Sequence, residues 1–136
     1  MALGSIPDIE ALVINVLNNS QDITDIAGEN SASTQLNEDA VLPKIRVTLA
    51  GGTPRIDGWL YAPRINIEAW ANDKETSFDL INKISEVLFS ELNDALFDEG
   101  IVTGIEQDVG LSWIPDPLTN TPRYTLGFVI YNHPNI

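Results

Sequence analysis

The sequence predicts an α+β domain: a mostly antiparallel sheet of about four strands with two helices packed on one face. Three observations predict it. Two stretches repeat apolar residues at helical spacing, several others alternate apolar and polar residues, and the order along the chain is helix, strands, helix, strands. The 136 residues fit one domain, 1–136, with no internal repeat or linker.

"PDIEALVINVLNNS" opens the pattern. Asp8 is placed to cap a helix in which Ile9, Leu12, Val13, Val16 and Leu17 share a face, and Asn18, Asn19 and Ser20 end it. Residues 21–39 are polar and read as a flexible segment, with one short edge strand within "SASTQLN".

Two clean alternations follow. Ile45, Val47 and Leu49 oppose Arg46 and Thr48, while Ile65, Ile67 and Ala69 oppose Arg64, Asn66, Glu68 and Trp70. Antiparallel pairing with Thr48 opposite Asn66 would set Arg46 across from Glu68. Such a cross-strand ion pair contributes roughly 0.2–1 kcal/mol. Between these strands, residues 51–63 ("GGTPRIDGWLYAP") read as a long aromatic loop rather than a tight turn.

A second helix begins at a cap on Asn72 or Asp73, with Glu75 in a capping-box position. Phe78, Ile81, Ile84, Leu88, Leu92, Ala95 and Leu96 form its expected buried stripe, and Gly100 its stop. Its other positions concentrate acids, among them Asp79, Glu86, Glu91 and Asp94. A solvated face explains such a run; a face turned toward an anion that must not stick is the alternative. Two further alternating stretches follow, the last with Tyr124, Leu126, Phe128 and Ile130 on one face, before a frayed tail at 132–136.

Twenty acidic residues against seven basic ones give a net charge of −13. Tight DNA binding draws on Lys and Arg against phosphates, so this balance argues against it. There is no cysteine, hence no disulfide framework or thiolate site. No apolar run is long enough to cross a membrane, and the N-terminus has no signal-peptide pattern, so a cytoplasmic fold is expected.

The chemistry-bearing residues form no constellation. His133, the single histidine, stands near the end beside Pro134. "AGGTPR" lacks the lysine and hydroxyl of a phosphate loop, and Asp22, Asp25 and Glu29 lack calcium-loop spacing. No catalytic residue, cofactor or metal ligand is therefore assigned. Aromatic residues in proline-punctuated loops are more distinctive: Trp59 and Tyr61 in one, Trp113 in the other, with Arg55, Arg64 and Arg123 nearby. Trp, Tyr and Arg are the usual anchors of protein interfaces, although loop tryptophans also serve as core caps.

The segments "LPKIRVTLAGGTPR", "APRINIEAWAND", "SFDLINKISEVLFSEL" and "GLSWIPDPLTNTPRYTLGFVI" together resemble tail terminator proteins of long-tailed (siphovirus-type) actinobacteriophages. The resemblance spans most of the chain, roughly 8–131, and is weakest at 21–39. It implies a non-enzymatic virion protein with a tail-terminator or tail-tube-like fold. Such a protein forms a homohexameric ring that caps the tail tube, ends its polymerisation and offers the head–tail joining surface. The implied partners are further copies of the chain, the tail tube protein and a head–tail connector or stopper protein. DNA passes through without specific binding. The implied location is the head-proximal end of the virion tail, after assembly in the host cytoplasm. Arg55, Trp59, Tyr61, Trp113, Asp116 and Arg123 are then the candidate interface residues, and Asp79, Glu86, Glu91 and Asp94 the candidate lumen-facing acids. The alternative is another junction component: a stopper, an adaptor or a connector-completion protein. A small acidic hydrolase or a DNA-mimicking inhibitor is the reading from another class.

Overall fold

The computed structural model describes residues 6–35, 41–56, 60–93, 95–98 and 100–134. Helix α1 (Ile9–Asn18) forms as its spacing dictates. Asp8 Oδ1 accepts from Ala11 N at 3.0 Å, and Ile9, Leu12, Val13 and Leu17 are buried. Within the polar 21–39 segment stand a second helix, α2 (Gln21–Ala27), which buries Ile23, and the expected edge strand, β1 (Ala32–Ser33).

Strand β1 pairs in parallel with β2 (Lys44–Ile56), setting Ala32 opposite Ile45. Helix α1 then satisfies backbone groups on this side of the sheet. The Asn18 amide donates to Ala32 O at 3.1 Å and its Oδ1 accepts from Ala32 N at 3.0 Å. Glu10 Oε2 accepts from Leu49 N, beyond the end of β1, at 2.7 Å. Unpaired edge donors are thereby closed to outside strands.

Strands β2 and β3 (Leu60–Trp70) pair antiparallel with Thr48 opposite Asn66 and Arg46 opposite Glu68, the expected register. Of residues 51–63, however, 51–56 and 60–63 are strand rather than loop. Gly52 pairs with Pro63, Thr53 with Ala62 and Ile56 with Leu60, so the two strands run on as a hairpin arm. Gly51 and Gly52, at φ 86° and 111°, absorb the register shift after Leu49 as a bulge. Glycine is required at Gly52 in particular, since a Cβ there would stand 2.6 Å from Arg64 N.

Helix α3 (Lys74–Glu91) is capped by Asp73, whose Oδ1 accepts from Thr76 N at 2.8 Å. Its buried face is Ser77, Leu80, Ile81, Ile84, Val87 and Leu88; Phe78, expected in the stripe, is exposed. The helix ends at Glu91, with Leu92 as its C-cap. Ala95–Leu96, read from sequence as its last turn, instead form strand β4, paired with Ile101 and Val102 at the start of β5 (Ile101–Trp113). Strand β6 (Arg123–His133) takes in Asn132 and His133 from the expected frayed tail, and Pro134 is buried.

The sheet order is β1-β2-β3-β6-β5-β4. The expectation of a four-stranded antiparallel sheet with two helices is thus corrected. The described residues form a six-stranded mixed sheet with three helices. The elements not expected are short: α2 has seven residues and β4 two, too few to print a period in the sequence. The core lies between α1, α3 and one sheet face carrying Ile45, Val47, Ile65, Ile67, Ala69, Leu126, Phe128 and Ile130. The opposite face carries Arg46, Arg64, Asn66, Glu68 and Asp108, with Arg64 Nε 2.8 Å from Asp108 Oδ2. Among the described residues no helix is long and apolar enough to cross a membrane.

Candidate docking surface at the β5–β6 hairpin

Residues 114–122 join β5 to β6 and are folded tightly onto themselves. Ile114 N donates to Arg123 O at 3.1 Å, Asp116 N to Thr121 O at 3.0 Å and Asn120 N to Asp116 O at 2.8 Å. Asn120 takes a left-handed φ of 58°, which Asn tolerates better than most residues. Pro115, Pro117 and Pro122 further restrict the backbone.

The connection lies over the end of the sheet face opposite the helices, where it covers Trp70. That indole is 3% exposed although it belongs to the more polar face. Arg46 stands 5.3 Å and Arg123 5.5 Å from its ring centroid. Glu68 joins the two guanidinium groups: Oε1 is 2.6 Å from Arg46 Nη2 and Oε2 is 2.9 Å from Arg123 Nη1. Arg123 Nε also donates to Ile114 O at 2.8 Å, and Ala71 N donates to Pro122 O at 3.2 Å. Each charged group here has a partner, which offsets the desolvation its burial costs.

Asp116 completes the brace. Its Oδ2 accepts from Trp70 Nε1 at 3.2 Å and its Oδ1 from Leu118 N at 2.9 Å. These bonds favour the ionised form. The Leu118 amide foremost, then the Trp70 indole, the Thr119 amide and the charge of Arg123, hold its carboxyl below the ordinary aspartate range against an opposing contribution from burial.

The helix side of the same hairpin end carries an aromatic row. Trp113 and Tyr124 have ring centroids 5.0 Å apart, and Tyr124 meets Phe78 edge-on at 5.6 Å. Lys74 Nζ sits 4.7 Å from the Trp113 ring centroid, tying the row to the start of α3. Apolar side chains nevertheless remain in solvent around it. Leu111, Trp113 and Ile114 are exposed, and Leu118, in the 117–119 turn, is 94% exposed.

Of the candidate interface residues, Trp113 therefore lies on an open surface on the helix side, whereas Asp116 and Arg123 are committed to shaping the connection on the opposite face. Tyr61 is half-buried near the start of β3, opposite Asn132 of β6, where its carbonyl accepts from the Asn132 amide at 3.2 Å. Trp59 lies outside the described residues, as does the side chain of Arg55, whose backbone belongs to β2. Sequence reasoning missed Leu111, Ile114 and Leu118 as surface apolar residues. It also missed Trp70 as the ring around which the loop is organised. An apolar residue inside a proline-rich turn, as Leu118 is, was the available signal.

The acids considered for a lumen are dispersed. Asp79 is exposed on α3; Glu86, also exposed, is 2.8 Å from Lys83 Nζ. Glu86 and Glu91 border a cleft shared with α1 and α2, and Asp94 lies outside the described residues. No group of three or more metal-ligating side chains occurs among the described residues.

The fold is similar to that of a chain in the solved "Virion of native gene transfer agent (GTA) particle", with a TM-score of 0.67 over 92% of this chain and 94% of that one. The two are 12% identical, so the likeness is one of fold. No family model matches the chain, and no curated protein matches it.

Proposed function

We propose that this chain is a structural virion protein of a phage-like particle, and that it acts as a tail terminator. In this reading, copies form a ring on the last ring of the tail tube, stop its growth and present the surface that joins the head. The observation that carries the reading is the fold shared along nearly the whole chain with a virion component. The residue patterns that resemble tail terminators narrow it to that role. No catalytic step is assigned to the protein.

The hairpin geometry suits such assembly. Heterologous contacts close a ring when each subunit offers a shaped element to its neighbour. Leu111, Trp113, Ile114 and Leu118 supply exposed apolar side chains at the hairpin end, and the braced connection within it lowers the ordering entropy that a contact would cost. A net charge of −13 per copy weakens the grip on DNA passing through a ring.

The shared fold is equally compatible with another neck component, such as a stopper, adaptor or connector-completion protein. Loss of the gene in a producing phage separates the two. A terminator's loss yields tubes of irregular length under electron microscopy; a stopper's loss yields tails of normal length and heads that leak DNA. The second outcome would replace the terminator reading with the neck-protein one.

A further inference from the structure

A cleft of about 900 Å³ lies on the helix side of the molecule, between α1, the start of α2, the end of α3 and β4. Its apolar lining residues are Leu12, Val16, Val87, Leu96 and Phe97, and amide and hydroxyl side chains such as Asn15 and Ser90 share the wall. Leu96 is 74% exposed, on the outermost strand of the sheet. Around these residues stand Asp22, Glu91, Asp98 and Glu86, the last already paired with Lys83 at 2.8 Å. Apolar contacts set among polar groups and bordered by carboxylates are complementary to a segment with apolar anchors and flanking cations.

We infer that this cleft docks a basic amphipathic segment of a different protein. The charge balance argues against a second copy as the occupant. The chain has seven basic residues, and Arg46, Arg64, Lys83 and Arg123 already pair with its own acids. A partner bringing its own lysines or arginines has cations to offer Asp22 and Glu91 at the border of the cleft. The volume has room for several side chains, and the exposed Leu96 offers an apolar contact at the open border. This assignment stands apart from the terminator reading, since it requires only that the protein meet a basic partner.

The test is a titration of the labelled full chain, followed by backbone and methyl NMR. The probe is a short synthetic helix-forming peptide with leucines on one face and flanking lysines. The control is a scrambled peptide of the same composition. The expected shifts centre on Val16, Val87, Leu96 and Phe97, and binding of the scrambled peptide is about tenfold weaker. The double variant D22K/E91K and the single variant L96D should each weaken binding by about tenfold or more, with unchanged unfolding midpoints. D79K, on α3 but not bordering the cleft, should leave affinity within about twofold of the parent.

Equal binding of both peptides, shifts mapping elsewhere, or an equal effect of D79K would overturn the inference in favour of diffuse electrostatic attraction. Self-association of the parent protein that is abolished by L96D would overturn it in favour of a second copy.

Discussion

Trp70 Nε1 donates to Asp116 Oδ2 across 3.2 Å, joining the last residue of β3 to the turn between β5 and β6. The indole ring is held in place independently, between Arg46 and Arg123. Trp70→Phe should therefore keep most of the packing while removing the donor. The expected result is faster hydrogen exchange at Leu118 and Asn120, with exchange in β3 and β6 little changed. Asp116→Ala should act on the same amides more strongly, because it also removes the acceptor of Leu118 N.

Acid should loosen the same turn. Asp116 has a folded-state pKa depressed chiefly by the Leu118 amide, so its contribution is fully present above the unfolded aspartate value. It is lost as pH falls through the depressed folded value, a window lying below about pH 4. Asp73 at the start of α3, depressed chiefly by the Thr76 amide, loses its capping contribution in the same direction. Unfolding midpoints measured from neutral pH downward should stay flat until that window and then fall. In Asp116→Asn the part of the fall due to Asp116 should be absent.

Glu68 bridges two arginines, and its side chain is only 13% exposed. Glu68→Ala leaves Arg46 and Arg123 facing each other across the Trp70 ring without their acceptor. A loss on the order of 2–3 kcal/mol is expected from urea unfolding. Glu68→Gln, which retains an acceptor oxygen, should lose less.

The β2–β3 arm depends on its glycine bulge. A Cβ at Gly52 would stand 2.8 Å from Pro63 Cα on a backbone with φ at 111°, so Gly52→Ala should cost about 1–3 kcal/mol. At Gly51 the surrounding space is open and only the positive φ of 86° resists substitution. Gly51→Ala should accordingly cost less, about 1 kcal/mol. Chemical denaturation of both variants checks the order.

The elements most legible in the sequence were those whose period persists. The Asp8 cap and the apolar face of α1, and the Arg46–Glu68 register that follows from two alternating strands, needed no tertiary information. The end of α3 misled because Leu92, Ala95 and Leu96 keep helical spacing after the helix has stopped at Glu91. Residues 51–63 misled because paired glycines and Pro54 resemble a loop, whereas here a bulge lets both strands continue. The brace was the least legible part. Trp70 and Glu68 share a strand face by alternation, but nothing local in the sequence brings Arg123 and Asp116 to them. The β3–β6 register does so, by setting Trp70 opposite Arg123.

The central claim, a structural protein that caps a phage-like tail, is tested most directly by electron microscopy of purified tail tubes incubated with the protein. The account predicts added ring-shaped density at the head-proximal end alone. It further predicts that Leu118→Asp, a change at a fully solvated position, abolishes that density while leaving the unfolding midpoint unchanged. Tubes whose ends stay bare, or that gain density along their length or at the opposite end, would contradict it.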